Sequence, residues 1–225
     1  MAVLDGDPET RQVFADLLEE AGDVRRAQWL REAKRGSRNR LDFVLGILPP
    51  KTAVALACDF AEHGMRSTVS RRLQSIVKVR TWMLRTMSPE KLDRALKTLR
   101  DAADDLRSRE GAAASAAADC LASLGDAADH ARRARRSQRQ GDFEEAETHA
   151  RRARGTARVV ANRARRVRVQ EAWTTEVNRW IAAMQRERPG VAPRFSVGPD
   201  ANQAELAWQL AATREVVVES LDADG

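Results

Sequence analysis

Tyrosine is absent from this 225-residue chain, and aromatics of all kinds make up only 4% of it. Its core must therefore come from Ala, Leu and Val, small side chains that each bury little area at ~25 cal/mol per Å². Cysteine is scarce as well. Cys58 and Cys120 allow one disulfide at most, which excludes a disulfide-stapled secreted scaffold. Each follows small apolar residues, so buried free thiols in a reducing cytoplasm are expected. No apolar stretch approaches the ~20 residues of a membrane span. The opening Met1-Ala2-Val3-Leu4-Asp5-Gly6-Asp7 is too acidic and too short in apolar residues for a signal peptide.

Groupings that carry chemistry are missing too. His63, His130 and His149 are the only histidines, and neither they nor the cysteines show the short spacing of a zinc site. Asp59, Glu62, Asp101, Asp104 and Asp105 fall at near-helical spacing, but Glu62 and His63 are adjacent rather than three apart, unlike a dimetal helix pair. There is no GxSxG and no P-loop. We therefore expect no catalytic residues, metal or cofactor, and a protein that is not an enzyme.

Against these shortages stands an excess of arginine. Thirteen arginines and four acids lie between Arg132 and Arg168, a local charge of +9 in a chain whose total is +6. His130-Ala131-Arg132-Arg133-Ala134-Arg135 recurs as His149-Ala150-Arg151-Arg152-Ala153-Arg154, an interval of 19 residues. On two antiparallel helices joined around Gly141, the repeat would set equivalent arginine patches side by side. Guanidinium forks suit phosphate and carboxylate groups. Arg132, Arg135, Arg136, Arg151, Arg154 and Arg158 are the candidate anion-binding residues. A solvated helix face is the plainer explanation of the same composition. Nothing points to base reading, by stacked aromatics or by a recognition helix.

Helical periodicity runs through the chain. Asp7-Pro8-Glu9 caps a first helix and Gly22-Asp23 breaks it, so residues 1–36 read as a short hairpin with Trp29 in its second arm. Further helices are expected over 38–48, 51–63, 65–87 and from Pro89. The Ala-rich run after Gly111 favours a closely packed helix, with a bend or restart at Gly125. Gly141-Asp142 is the next turn, with Asp142 and Glu145 set as a capping box. The helix beyond reaches about Glu187. At ~100° per residue, its Ala153, Ala157, Val160, Ala164 and Val167 share one arc. Trp173, Val177, Trp180, Ile181 and Met184 share another, roughly opposite. The helix must bend near Gln170, or its halves meet different neighbours. Residues 191–199 read as a linker before a last helix capped by Asp200 and lined by Ala204, Leu206, Ala207, Leu210 and Ala211. The fold expected is all-α, an elongated antiparallel bundle over 37–190, preceded by the 1–36 hairpin and followed by the linker and helix of 191–225.

Two resemblances follow from particular segments. Val13-Phe14-Ala15-Asp16-Leu17-Leu18-Glu19-Glu20-Ala21-Gly22-Asp23, then Arg26-Ala27-Gln28-Trp29-Leu30-Arg31, resembles the repeat-companion domain frequent in planctomycete proteins. Leu17, Val24 and Gln28 depart from that family's usual Trp, Pro and Glu. The likeness implies a helical hairpin and assigns no chemistry. Leu56-Ala57-Cys58-Asp59-Phe60-Ala61-Glu62-His63, with the Trp82 region, the Ala-rich middle and the Trp173–Met184 stretch, resembles the Ala-rich helical immunity proteins of bacteria. That likeness implies binding to another protein.

The function expected is thus a non-enzymatic bacterial protein-interaction module, in defence or toxin neutralisation. Trp173, Val177 and Trp180 are its candidate contact residues, unless they serve as core anchors. Its partner is a protein, acidic if it meets the arginines. A second copy of the chain is open as that partner. The alternative is a helical protein that contacts the phosphates of nucleic acid.

Overall fold

The computed structural model describes residues 48–65, 73–84, 88–109, 111–186 and 197–222, together with Asp16, Glu19, Glu20, Val24, Ala27, Arg31, Leu41 and 44–46. Among the described residues the helices with both ends defined are, in order, α1 (Pro50–Gly64), α2 (Leu73–Leu84), α3 (Pro89–Arg107), α4 (Ala112–Arg139), α5 (Phe143–Arg186) and α6 (Val197–Asp222). The fold is all-α, and the described residues contain no strand. The expected 1–36 hairpin and most of the linker lie outside the described residues. Of the hairpin, Arg31 is helical and pairs with Asp16 at 2.6 Å and with Glu19.

Proline and glycine set the boundaries. Pro50 and Pro89 occupy the first turns of α1 and α3, where a missing N–H costs nothing. Gly111 (φ +120°) precedes α4 and Gly141 (φ +82°) follows it, conformations that side chains resist. At the second of these, Asp142 N–H donates to Ser137 O (3.0 Å) and Gly141 N–H to Gln138 O (3.3 Å), a Schellman closure. Asp142 then caps α5 by accepting from Glu145 N–H at 2.9 Å. Only half of the expected capping box forms, because the Glu145 carboxylate takes the Ser137 hydroxyl (2.8 Å) instead. Neither Gly125 nor Gln170 interrupts a helix.

Burial explains the arrangement. Ala53 to Cys58 are all buried, so α1 is apolar all round and sits at the centre. α3 is one-sided, burying Leu92, Leu96, Leu99 and Leu106. α4 and α5 pack along most of their shared length, and small residues such as Ala117, Ala128, Ala157 and Ala164 allow close approach. Arg163 donates to Asp119 O (2.7 Å) and the Cys120 thiol to Val160 O (3.8 Å), so the two helices are antiparallel. Pro50 and Lys51 lie by Ala150 and Arg154, while Gly64 touches Ala164, so α1 runs in the same direction as α5. α4 and α5 are antiparallel, as are α5 and α6, but this central pair is parallel. Both cysteines are buried free thiols, and burial pushes Cys120 up to about 12 and Cys58 well up, which leaves them protonated and unreactive.

Asp59 on α1 ties the stability of this packing to pH, in favour of the acid side. Burial raises its pKa from the ordinary 3.8 to about 6, against the opposing pull of Arg80 at 2.8 Å. The folded state thus holds this proton more tightly than the unfolded chain, so the group's contribution to stability grows as pH falls from 6 toward 3.8. Asp59→Asn should remove that gain, worth on the order of 1 kcal/mol once solvent access is allowed for. Chemical denaturation of both proteins across this range checks it. A wild-type-minus-variant difference that is flat with pH would refute the assignment.

Candidate functional site

Two surfaces carry most of the candidate residues. The first is an open groove of about 1020 Å³ formed by Trp82, Ser88, the last two turns of α4 and the start of α5. Arg132, Arg133, Arg135, Arg136 and Arg139 line it. Arg132 is held by Asp93 and by Asp129 (2.7 Å), and Arg133 by Asp129 (2.8 Å). Arg135, Arg136 and Arg139 have no acidic partner among the described residues. Lys51 lies 5.3 Å from the ring centre of Trp82, and burial together with Arg135 and Arg139 lowers its pKa.

The candidate anion set is divided by this geometry. Arg132, Arg135 and Arg136 line the groove. Arg154 turns into the bundle, 6% exposed, and pairs with Glu147 at 2.8 Å. Arg158 lays its guanidinium against Gly46, leaving no room for a Cβ there. Arg151 is exposed on another side and stands 3.8 Å from Glu147. The repeated segments do meet, but through their histidines, with Nδ1 atoms 3.3 Å apart. Because the helices are antiparallel, the arginines after His130 run toward the turn and those after His149 run away from it. One patch forms, not two. Burial and the neighbouring His149 lower the pKa of His130. Among the described residues no three His, Cys, Asp or Glu side chains converge on a metal-sized site.

The second surface is the outer side of α5. Its first apolar arc is fully buried, as at Ala153, Ala157, Val160, Ala164 and Val167. Its second arc faces outward, with Trp173 43% and Ile181 42% exposed and Val177 half-buried. α6 packs on the opposite side, sharing a smaller groove with Arg168, Ala172, Thr175 and Arg179. Exposed Val159 (41%), Arg152 and Arg166 continue the outer stripe toward the start of the helix. Arg152, Val159, Arg166 and Trp173 are seven apart in sequence. The side chain of Trp180, next in that series, lies outside the described residues. Trp82, by contrast, is a core residue, and Trp208 packs against the core.

α6 docks differently from its apolar pattern: Ala204, Ala207 and Ala211, which that pattern places inside, are all exposed. The buried stripe is polar: Glu205, Gln209 and Thr213, at four-residue spacing. Glu205 Oε2 meets His63 Nδ1 (2.9 Å) and Arg168 Nε (3.8 Å), while Gln209 Nε2 donates to Ala161 O (3.0 Å) and to Glu205 Oε1 (3.3 Å). The Trp208 ring stacks on His63 at 3.7 Å. The helix begins at Val197, so Asp200 lies within it rather than capping it.

No protein-family model matches the chain, and no curated protein or solved structure is similar to it. No helix is long and apolar enough to cross a membrane among the described residues.

Proposed function

We propose that this chain is a non-enzymatic protein-interaction module whose outer α5 face receives an acidic amphipathic helix of a partner protein. One observation carries this reading: Val159, Trp173 and Ile181 are exposed on the side of α5 that looks away from the bundle, interspersed with Arg152 and Arg166. Arg152, Val159, Arg166 and Trp173 recur every seven residues, so arginine and apolar side chains alternate along one stripe that a second helix can follow. The arginines between them favour glutamates or aspartates on it. A tryptophan held on a rigid helix is the kind of side chain that dominates interface energies.

Toxin neutralisation is the setting that the immunity-protein resemblance suggests. Leu56, Ala57, Cys58, Phe60 and Ala61 of that segment are buried. The resemblance therefore bears on packing, and recognition falls to α5.

The test is a photo-crosslinker at Trp173, with another at exposed Asp126 on α4 as control, followed by titration of the purified partner so identified. Trp173→Ala should weaken that complex by roughly 30-fold, the size of a hot-spot loss of ~2 kcal/mol. Arg152→Glu/Arg166→Glu should weaken it further at low salt. Equal affinity of wild type and Trp173→Ala would sink the proposal.

A further inference from the structure

We infer that the groove at the C-terminal end of α4 is a binding site for the phosphate backbone of nucleic acid, gripped by Arg135, Arg136 and Arg139. The helix dipole accounts for a cation or two in the last turn of α4, where Arg136 and Arg139 sit. It does not account for three arginines gathered without an acidic partner among the described residues, two of them close enough to act on the charge of nearby Lys51. Arg135 and Arg139 both disfavour the charge on Lys51, a mutual repulsion that a bound polyanion relieves. The one acid lining the groove, Glu145, is already engaged with Ser137.

Two features favour phosphate over an acidic protein. The groove presents no apolar anchor: Trp82 is only 5% exposed, and His149 is buried. A protein interface needs a desolvated apolar centre, whereas backbone binding is driven by charge and counterion release. Arg132 lies three and four residues before Arg135 and Arg136, and these lie four and three before Arg139, so the four share one face along two turns, which suits a linear array of charges. The exposed ring of Phe143 lines the adjoining groove and not this one, so binding here should ignore base sequence. This site is separate from the outer face of α5, and either can fail alone.

The experiment is an anisotropy titration of labelled duplex DNA of mixed sequence against the full chain at several salt concentrations. Three phosphate contacts predict a log–log salt slope of about −3, so affinity should fall roughly 40-fold between ~50 and ~200 mM salt. Arg135→Ala/Arg136→Ala/Arg139→Ala should weaken binding at least tenfold and flatten the slope. Arg107→Ala/Arg109→Ala/Arg179→Ala, equal in net charge but outside the groove, should retain both. Arg136→Gln/Arg139→Gln, which alters only exposed positions, serves if the triple groove variant fails to fold. Inorganic polyphosphate should displace the DNA and polyglutamate should not. Equal losses in the two triple variants, no binding at ~50 mM salt, or displacement by polyglutamate as effective as by polyphosphate would each overturn the inference.

Discussion

Glu205→Ala is expected to free α6 from the bundle. The carboxylate is buried and takes hydrogen-bonding or ionic partners from three helices: His63 on α1, Arg168 on α5 and Gln209 on α6 itself. Removing one member of a fully buried pair costs ~3–5 kcal/mol. Here the side chains of His63 and Arg168 stay 25% and 40% exposed and regain water, so about 2–3 kcal/mol is expected. Much of that loss should be local, because Leu206 and Leu210 are only partly buried and hold α6 weakly. Hydrogen exchange should show faster opening of residues 201–213, with α3 and α4 little changed. Glu205→Gln keeps the shape and one acceptor oxygen, and should fall between. Unaltered exchange in α6 of the alanine variant would refute the lock.

Gly64→Ala should loosen the parallel contact between α1 and α5. A methyl there would stand 2.8 Å from Ala164 O and 2.9 Å from Ala164 Cβ, distances that real side chains do not keep. Both neighbours belong to the backbone or its first carbon, so no side chain can swing aside. Overpacking of this kind costs typically ~1–3 kcal/mol, set against up to ~1 kcal/mol gained from the better helix propensity of alanine. A net loss of about 1–2 kcal/mol, read from a denaturation midpoint, is the expected result. Gly64→Val should cost more. Gly64→Ala/Ala164→Gly should recover part of the loss, since one of the two clashes goes. Gly64→Ala at or above wild-type stability would show that the helices part at no cost.

The framework was legible in the sequence because local chemistry dictates it. Pro49-Pro50, Ser88-Pro89, Gly111 and Gly141 act on their own backbone, and each boundary lies where those residues put it. The buried arc of α5 was legible too, since 3.6-residue periodicity needs no knowledge of the neighbour. What resisted was anything decided by a distant partner. Glu205, Gln209 and Thr213 looked like the wet side of α6, because His63, Arg168 and the Ala161 carbonyl are remote in sequence. Their four-residue spacing was the available signal. Arginine was opaque for the same reason. Arg154 and Arg158 sit in the same run as Arg135 and Arg136, yet Glu147 and Gly46 absorb the first two. Trp173 was legible as one of an apolar arc, but the choice between contact residue and core anchor was not, because no pattern within α5 says which helices cover it.

The parallel pairing of α1 with α5 has a kinetic consequence. α4 and α5 are joined by a three-residue turn, so their contacts cost little loop-closure entropy and can form early. Gly64 and Ala164 are a hundred positions apart in the chain, and their contact waits until that hairpin offers a surface. Seating α1 is then the late event of folding. Damage at Gly64 should therefore speed unfolding and leave the refolding rate nearly untouched.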